Sequence, residues 1–78
     1  MVITGVIKNL YEIKTKNGKY LAIADLQRNR TRYPLIIFTT VWNQYNSVIN
    51  NDTYISLEVR LVKNSGNLKY IVQSVLKD

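Results

Sequence analysis

Hydrophobic period constrains this chain more than any other feature. It reads as strand after strand, and only one segment, Thr40–Ile49, changes period. There the apolar residues fall at Val41, Trp42, Tyr45, Val48 and Ile49. That is the i, i+1, i+4, i+7, i+8 stripe of a short amphipathic helix. Thr39 or Thr40 supplies a side-chain oxygen for an N-cap, and Asn50-Asn51-Asp52 ends the pattern. Trp42, on the apolar stripe, is read as core.

The remaining segments predict five strands. The first runs from Val2 to about Ile13 with Gly5 inside it. A glycine within a strand marks a bend or bulge, and the parity of apolar positions shifts between Ile7 and Leu10, as a bulge requires. Asn17-Gly18 between apolar runs is a strong hairpin signal, because both residues tolerate positive φ. In the second strand, Lys19–Gln27, Tyr20, Ala22, Ala24 and Leu26 share one face. Leu21, Ile23, Asp25 and Gln27 share the other. The first set is assigned to the interior, where the alanines leave room for larger neighbours. Arg28-Asn29-Arg30-Thr31-Arg32 is a second turn whose arginines alternate, so an extended ribbon would project all three to one side. Tyr33–Thr39 is the third strand, with Pro34 confined to an edge or bulge because it lacks an amide donor. Thr53–Val62 alternates cleanly, with Ile55, Leu57, Val59 and Leu61 on the buried side. Lys63-Asn64-Ser65-Gly66-Asn67 is a turn, and Leu68–Leu76 is the last strand. The order is three strands, one helix and two strands.

Composition narrows the function. Seventy-eight residues, 46% of them hydrophobic, make one small globular domain that buries only roughly 60% of its unfolded surface. Cysteine and histidine are both absent, which excludes disulfides and removes the usual zinc ligands and the Ser-His and Cys-His catalytic pairs. The five acids, Glu12, Asp25, Asp52, Glu58 and Asp78, are scattered, and each of the three glycines stands alone. Neither a paired-carboxylate site nor a phosphate loop is predicted, so the chain is not expected to be an enzyme or to carry a cofactor. No apolar run approaches the roughly 20 residues of a membrane-spanning helix. No basic leader precedes the first strand, and a cytoplasmic location is expected. Eleven lysines and arginines against five acids give a net charge of +6, which favours a polyanionic partner.

The strand order is that of the OB-fold, a small Greek-key barrel. The resemblance extends to Thr15-Lys16-Asn17-Gly18-Lys19 followed by an apolar strand, to Leu35-Ile36-Ile37-Phe38, and to Trp42 through Ile49. With these the chain, from about Ile3 to Val75, resembles the nucleic-acid-binding OB family. That family includes the OB domain of bacterial replicative DNA polymerase catalytic subunits and the anticodon-binding barrels of some tRNA synthetases. The arginines between Gln27 and Arg32, and Asp52 and Leu57-Glu58 around the fourth strand, depart from the family pattern. The resemblance implies an all-β, five-stranded barrel over residues 1–78, with one short helix between strands three and four.

It further implies a binding face on the second and third strands, flanked by the first and last hairpin turns. Single-stranded binding needs a basic groove for phosphates and π-faces for bases. Candidate phosphate contacts are Lys14, Lys16 and Lys19 at one turn, Arg28, Arg30 and Arg32 at the next, and Lys63 and Lys69 at the last. Candidate platforms are Tyr20, Tyr33, Phe38 and Tyr70; strand parity leaves each open as platform or barrel filler. Two functions follow. One is binding of single-stranded DNA, or RNA, in replication, recombination or repair. The other is an adaptor that docks on a larger replication protein such as a polymerase or primase.

Overall fold

The computed structural model describes residues 1–76, apart from the side chain of Asn64; Lys77 and Asp78, the end of the expected domain, lie outside the described residues. Its elements are β1 (Val2–Lys14), β2 (Tyr20–Arg28), β3 (Thr31–Ile37), α1 (Thr39–Tyr45), β4 (Tyr54–Asn64) and β5 (Asn67–Leu76). The strands close into a barrel in the order β1-β2-β3-β5-β4. Only the β3–β5 pair is parallel, through Leu35 with Tyr70 and Ile36 with Ile71. This is the OB-fold architecture, an all-β barrel with one short helix between its third and fourth strands.

Closure depends on β1 serving two neighbours. Its first half pairs with β4, from Val2 opposite Glu58 to Val6 opposite Tyr54. Its second half pairs with β2 alone, from Tyr11 opposite Ile23 to Lys14 opposite Tyr20. The parity shift predicted between Ile7 and Leu10 is a register shift between Lys8 and Tyr11, with Asn9 at φ 55°. The linker before β4 is tied to this kink by backbone hydrogen bonds from Ile7 N to Thr53 O and from Asp52 N to Ile7 O. The Asn51 side chain accepts from Leu10 N at 2.9 Å. Gly5 marks the tightest approach. A Cβ there would sit 2.5 Å from the carbonyl oxygen of Gln27, so only glycine lets β1 cross β2 this closely.

The interior is filled as the alternation predicts except at Tyr20 and Leu61, which keep the inward parity but are each 45% exposed. Ile3 and Ile7 from β1, Ala22, Ala24 and Leu26 from β2, Leu35 and Ile37 from β3, Ile55, Leu57 and Val59 from β4, and Val72 from β5 are buried. Each fully buried aliphatic side chain contributes roughly 1.5–3 kcal/mol relative to exposure. Trp42 closes one end from α1, with Ile49 beside it in the core. Pro34 lies ahead of the first β5 partner, at Leu35, where β3 is paired on the β2 side only. Its missing donor therefore interrupts no second ladder.

Three local expectations are corrected, while the hairpin expected at Asn17-Gly18 forms. The β1–β2 connection is a three-residue loop, Lys16-Asn17-Gly18, in which Gly18 N donates to Thr15 O at 3.0 Å and Thr15 N donates to Lys19 O at 2.7 Å. Only Gly18, at φ 77°, takes the left-handed conformation, so Asn17 does not need it. The helix stops at Tyr45 rather than Ile49, because the Asn46 and Asn50 side-chain amides donate to the carbonyls of Asn43 and Ser47 and compete with helix propagation. Its N-cap is Phe38, with no side-chain cap bond, in place of Thr39 or Thr40. Finally, the three arginines do not share a side. A two-residue turn at Asn29-Arg30 sets Arg28 opposite Thr31 and Gln27 opposite Arg32, which puts Arg28 on the inward parity and Arg32 on the outward one.

Candidate nucleic-acid interface

The outward parity of the sheet gathers an apolar row that the inward positions leave behind. With Ala22, Ala24, Leu35 and Ile37 pointing in, the residues between them must point out. Register joins Tyr11 to Ile23, Ile23 to Ile36, Ile36 to Ile71 and Ile71 to Arg60, one continuous row across all five strands. A second row begins with Ile13 opposite Leu21. Phe38 is still extended, at φ −70° and ψ 164°, so it keeps the alternation of β3 and joins this face. Tyr11, Ile13 and Phe38 are exposed, at 54%, 37% and 47%, and the isoleucines between them are half-buried. Monomers rarely expose a contiguous apolar strip without using it.

Cations bound this strip at both ends. Lys14, Lys16 and Lys19, all exposed, sit on and beside the β1–β2 loop. Because β3 and β5 run parallel as neighbours, the hairpins that precede them lie at the same end of the barrel. That end collects Arg28 and Arg30 from one hairpin and Lys63 and Lys69 from the other. The β4–β5 turn is a two-residue connection with Ser65 and Gly66 both at positive φ, 51° and 83°, which holds its strands paired out to Asn64 and Asn67. Lys69, opposite Val62, has the outward parity, and Lys63, opposite Leu68, has the inward one. Among the described residues, no carboxylate lies within 4.0 Å of the charged nitrogens of any of these seven cations. Arg32 differs, since its Nη1 stands 3.9 Å from Asp25 Oδ2. Lys8 is paired at 2.5 Å with Asp52.

The four aromatic candidates fall in three places. Phe38 lies on the outer strip. Tyr20 has the inward parity but stands at the mouth of the barrel, 45% exposed, against the first turn of α1. Tyr33 and Tyr70 pack against the core cluster and meet edge to face, with ring centroids 5.2 Å apart and planes at 89°. Their rings are partly engaged by each other and by the core. Sequence reasoning passed over Tyr11, Ile13, Ile23, Ile36, Ile71 and Arg60. The signal was the pair Leu21 and Ile23 on the outward side of β2, two large aliphatics where a solvated face should be polar.

A separate apolar groove of about 370 Å³ runs between the end of α1 and the β4–β5 edge, lined by Tyr45, Val48, Tyr54, Ile55, Val75 and Leu76 among others. No cluster of three or more carboxylates, histidines or cysteines able to hold a metal exists among the described residues. No helix is long and apolar enough to cross a membrane. No family model matches the sequence, and no curated protein is significantly similar to it.

Proposed function

We propose that this OB barrel binds single-stranded nucleic acid, DNA foremost, in replication, recombination or repair. One observation carries the reading: an outward strip holding Tyr11 and Phe38 lies between two clusters of exposed cations that, among the described residues, have no carboxylate within 4.0 Å. A single strand offers phosphates to the lysines and arginines while its bases lie on the apolar strip. Base–aromatic stacking contributes about 1–3 kcal/mol per base, and the phosphate contacts make binding salt-dependent. In this reading the chain acts as a binding module.

A second reading rests on the middle of the strip. Ile23, Ile36 and Ile71 are aliphatic, and aliphatic side chains give bases no π-face. The row suits docking against a larger replication protein, such as a polymerase or primase, with the strip as the apolar centre of the interface.

Fluorescence anisotropy of labelled oligo-dT, duplex DNA and single-stranded RNA over a salt series separates the two. Micromolar or tighter single-strand binding that weakens steadily with salt supports the first. Absence of binding to all three at low salt overturns it as a stand-alone activity and favours the adaptor.

A further inference from the structure

Where the β1–β2 connection meets the first turn of α1, a polar groove of about 360 Å³ opens, lined by Gly18, Lys19, Tyr20, Thr39, Thr40 and Asn43. It is distinct from the outer strip, because Tyr20 has the opposite parity to Leu21 and Ile23. Its volume lies at the lower end of the roughly 300–1,000 Å³ common for small-molecule sites. Gly18 leaves its lip open, with nothing within 4 Å of where a Cβ would stand. Among the described residues, no hydrogen bond or ion pair engages the side chains of Lys19, Tyr20, Thr39, Thr40 or Asn43. One cation, one aromatic ring, two hydroxyls and one carboxamide therefore line the groove with no protein partner for their side chains among the described residues.

We infer that this groove holds a single nucleotide, with its base against Tyr20, its phosphate on Lys19 and its base edge read by Asn43. The inference deepens the single-strand reading and rests on it for the source of that nucleotide. A bare phosphate would leave the ring and the carboxamide idle, and a neutral sugar would leave the lysine idle. A nucleotide uses all three. Adenine fits the carboxamide best. An asparagine presents a donor beside an acceptor, and adenine offers an amino donor next to a ring-nitrogen acceptor on both of its exposed edges. Adenine can thus enter in either orientation and still pair.

The test is a backbone and side-chain amide NMR titration of the whole chain with dAMP, dTMP and inorganic phosphate, alongside anisotropy with oligo-dA and oligo-dT. The inference expects dAMP to shift the Gly18 backbone amide and the Asn43 side-chain amide, dTMP to shift them less, and phosphate to leave Asn43 unmoved. Oligo-dA should bind about five- to tenfold tighter than oligo-dT, near the lower end for a bidentate base contact. Asn43→Ala, an exposed helical site where alanine favours the fold, should erase that preference, and Gln44→Ala, at an exposed position of the same helix, should keep it. Oligonucleotide binding with Gly18 and Asn43 unmoved overturns the pocket and leaves the strand reading standing. Shifts with dAMP but no oligonucleotide binding overturn the strand reading and support the pocket as a site for free nucleotide. Equal binding of oligo-dA and oligo-dT, unchanged by Asn43→Ala, overturns the base assignment.

Discussion

The indole N–H of Trp42 donates to the Glu12 carboxylate across 2.7 Å, tying α1 to the part of β1 that lies beyond its bulge. Trp42 is 6% exposed, so its one polar atom would be stranded in the core without this acceptor. The bond also fixes where the helix sits against this end of β1, which beyond Tyr11 pairs with β2 alone. Placement of α1 in turn shapes the groove beside Tyr20.

A double-mutant cycle between these two residues should show the coupling. Glu12→Ala is expected to cost about 1 kcal/mol, the typical net contribution of one hydrogen bond, because the exposed carboxylate brings it below the roughly 1.5–3 kcal/mol of bonds to charged groups. Trp42→Ala should cost about 3–5 kcal/mol through the cavity it leaves, and Trp42→Phe less. Urea unfolding of Glu12→Ala, Trp42→Phe and the double variant gives the interaction energy, expected near 0.5–1 kcal/mol. Strict additivity would show that the bond contributes nothing.

Two glycines should respond differently to alanine. Gly5→Ala drives a Cβ onto the Gln27 backbone carbonyl, at 2.5 Å, and backbone cannot move aside as a side chain can. A loss above about 2 kcal/mol is expected, in line with overpacking of a tight core. Gly18→Ala meets open space but keeps φ at +77°, costing roughly 1–2 kcal/mol. Denaturant midpoints rank the pair, and equal losses would refute the steric account of Gly5.

Phe38→Ala distinguishes a platform from a structural ring. At 47% exposure, the side chain should be removable at under about 1.5 kcal/mol of stability, well short of the usual 3–5 for a buried phenylalanine. Oligonucleotide affinity should fall by about 1–3 kcal/mol. Melting of the barrel, with affinity per folded molecule unchanged, would return Phe38 to the core.

Charge removal should read out as a change in salt slope. Lys16→Ala, Lys19→Ala and Arg30→Ala combined take one end of the strip and the tip of the other, all at exposed turn positions. If each contacts one phosphate, the slope of log K against log salt should flatten by about 2, at roughly 0.7 per contact on a single strand. Thermal stability should stay within about 1 kcal/mol of the parent. An unaltered slope would move the phosphate track away from these turns.

How much of this was legible depended on the range of the interaction. The alternation of Ile55, Leu57 and Val59 is local, and it gave the buried face of β4 directly. Leu61 continues the same parity yet is 45% exposed, because the β4–β5 hairpin runs past the end of the barrel. The stripe from Val41 to Ile49 identified the helix, but its end was decided by asparagine side chains bonding the backbone. The sides taken by Arg28 and Arg32 depended on a two-residue reversal that an alternation rule crosses without seeing. Tyr33 meets Tyr70 only because β3 and β5 lie side by side and parallel, a relationship no local pattern contains. The outer row from Tyr11 to Arg60 needs the register of five strands at once, so its members were visible singly and not as a surface.

The split allegiance of β1 also sets the order in which this molecule can be assembled. The hydroxyls of Thr4 and Ser56 meet at 2.8 Å although 52 residues separate them. Such a pairing must meet its loop-closure cost before any contact rewards it, and topologies built this way fold in milliseconds to seconds rather than microseconds. The β1–β2 and β4–β5 hairpins close far shorter loops, so their entropy cost is smaller than that of the β1–β4 seam.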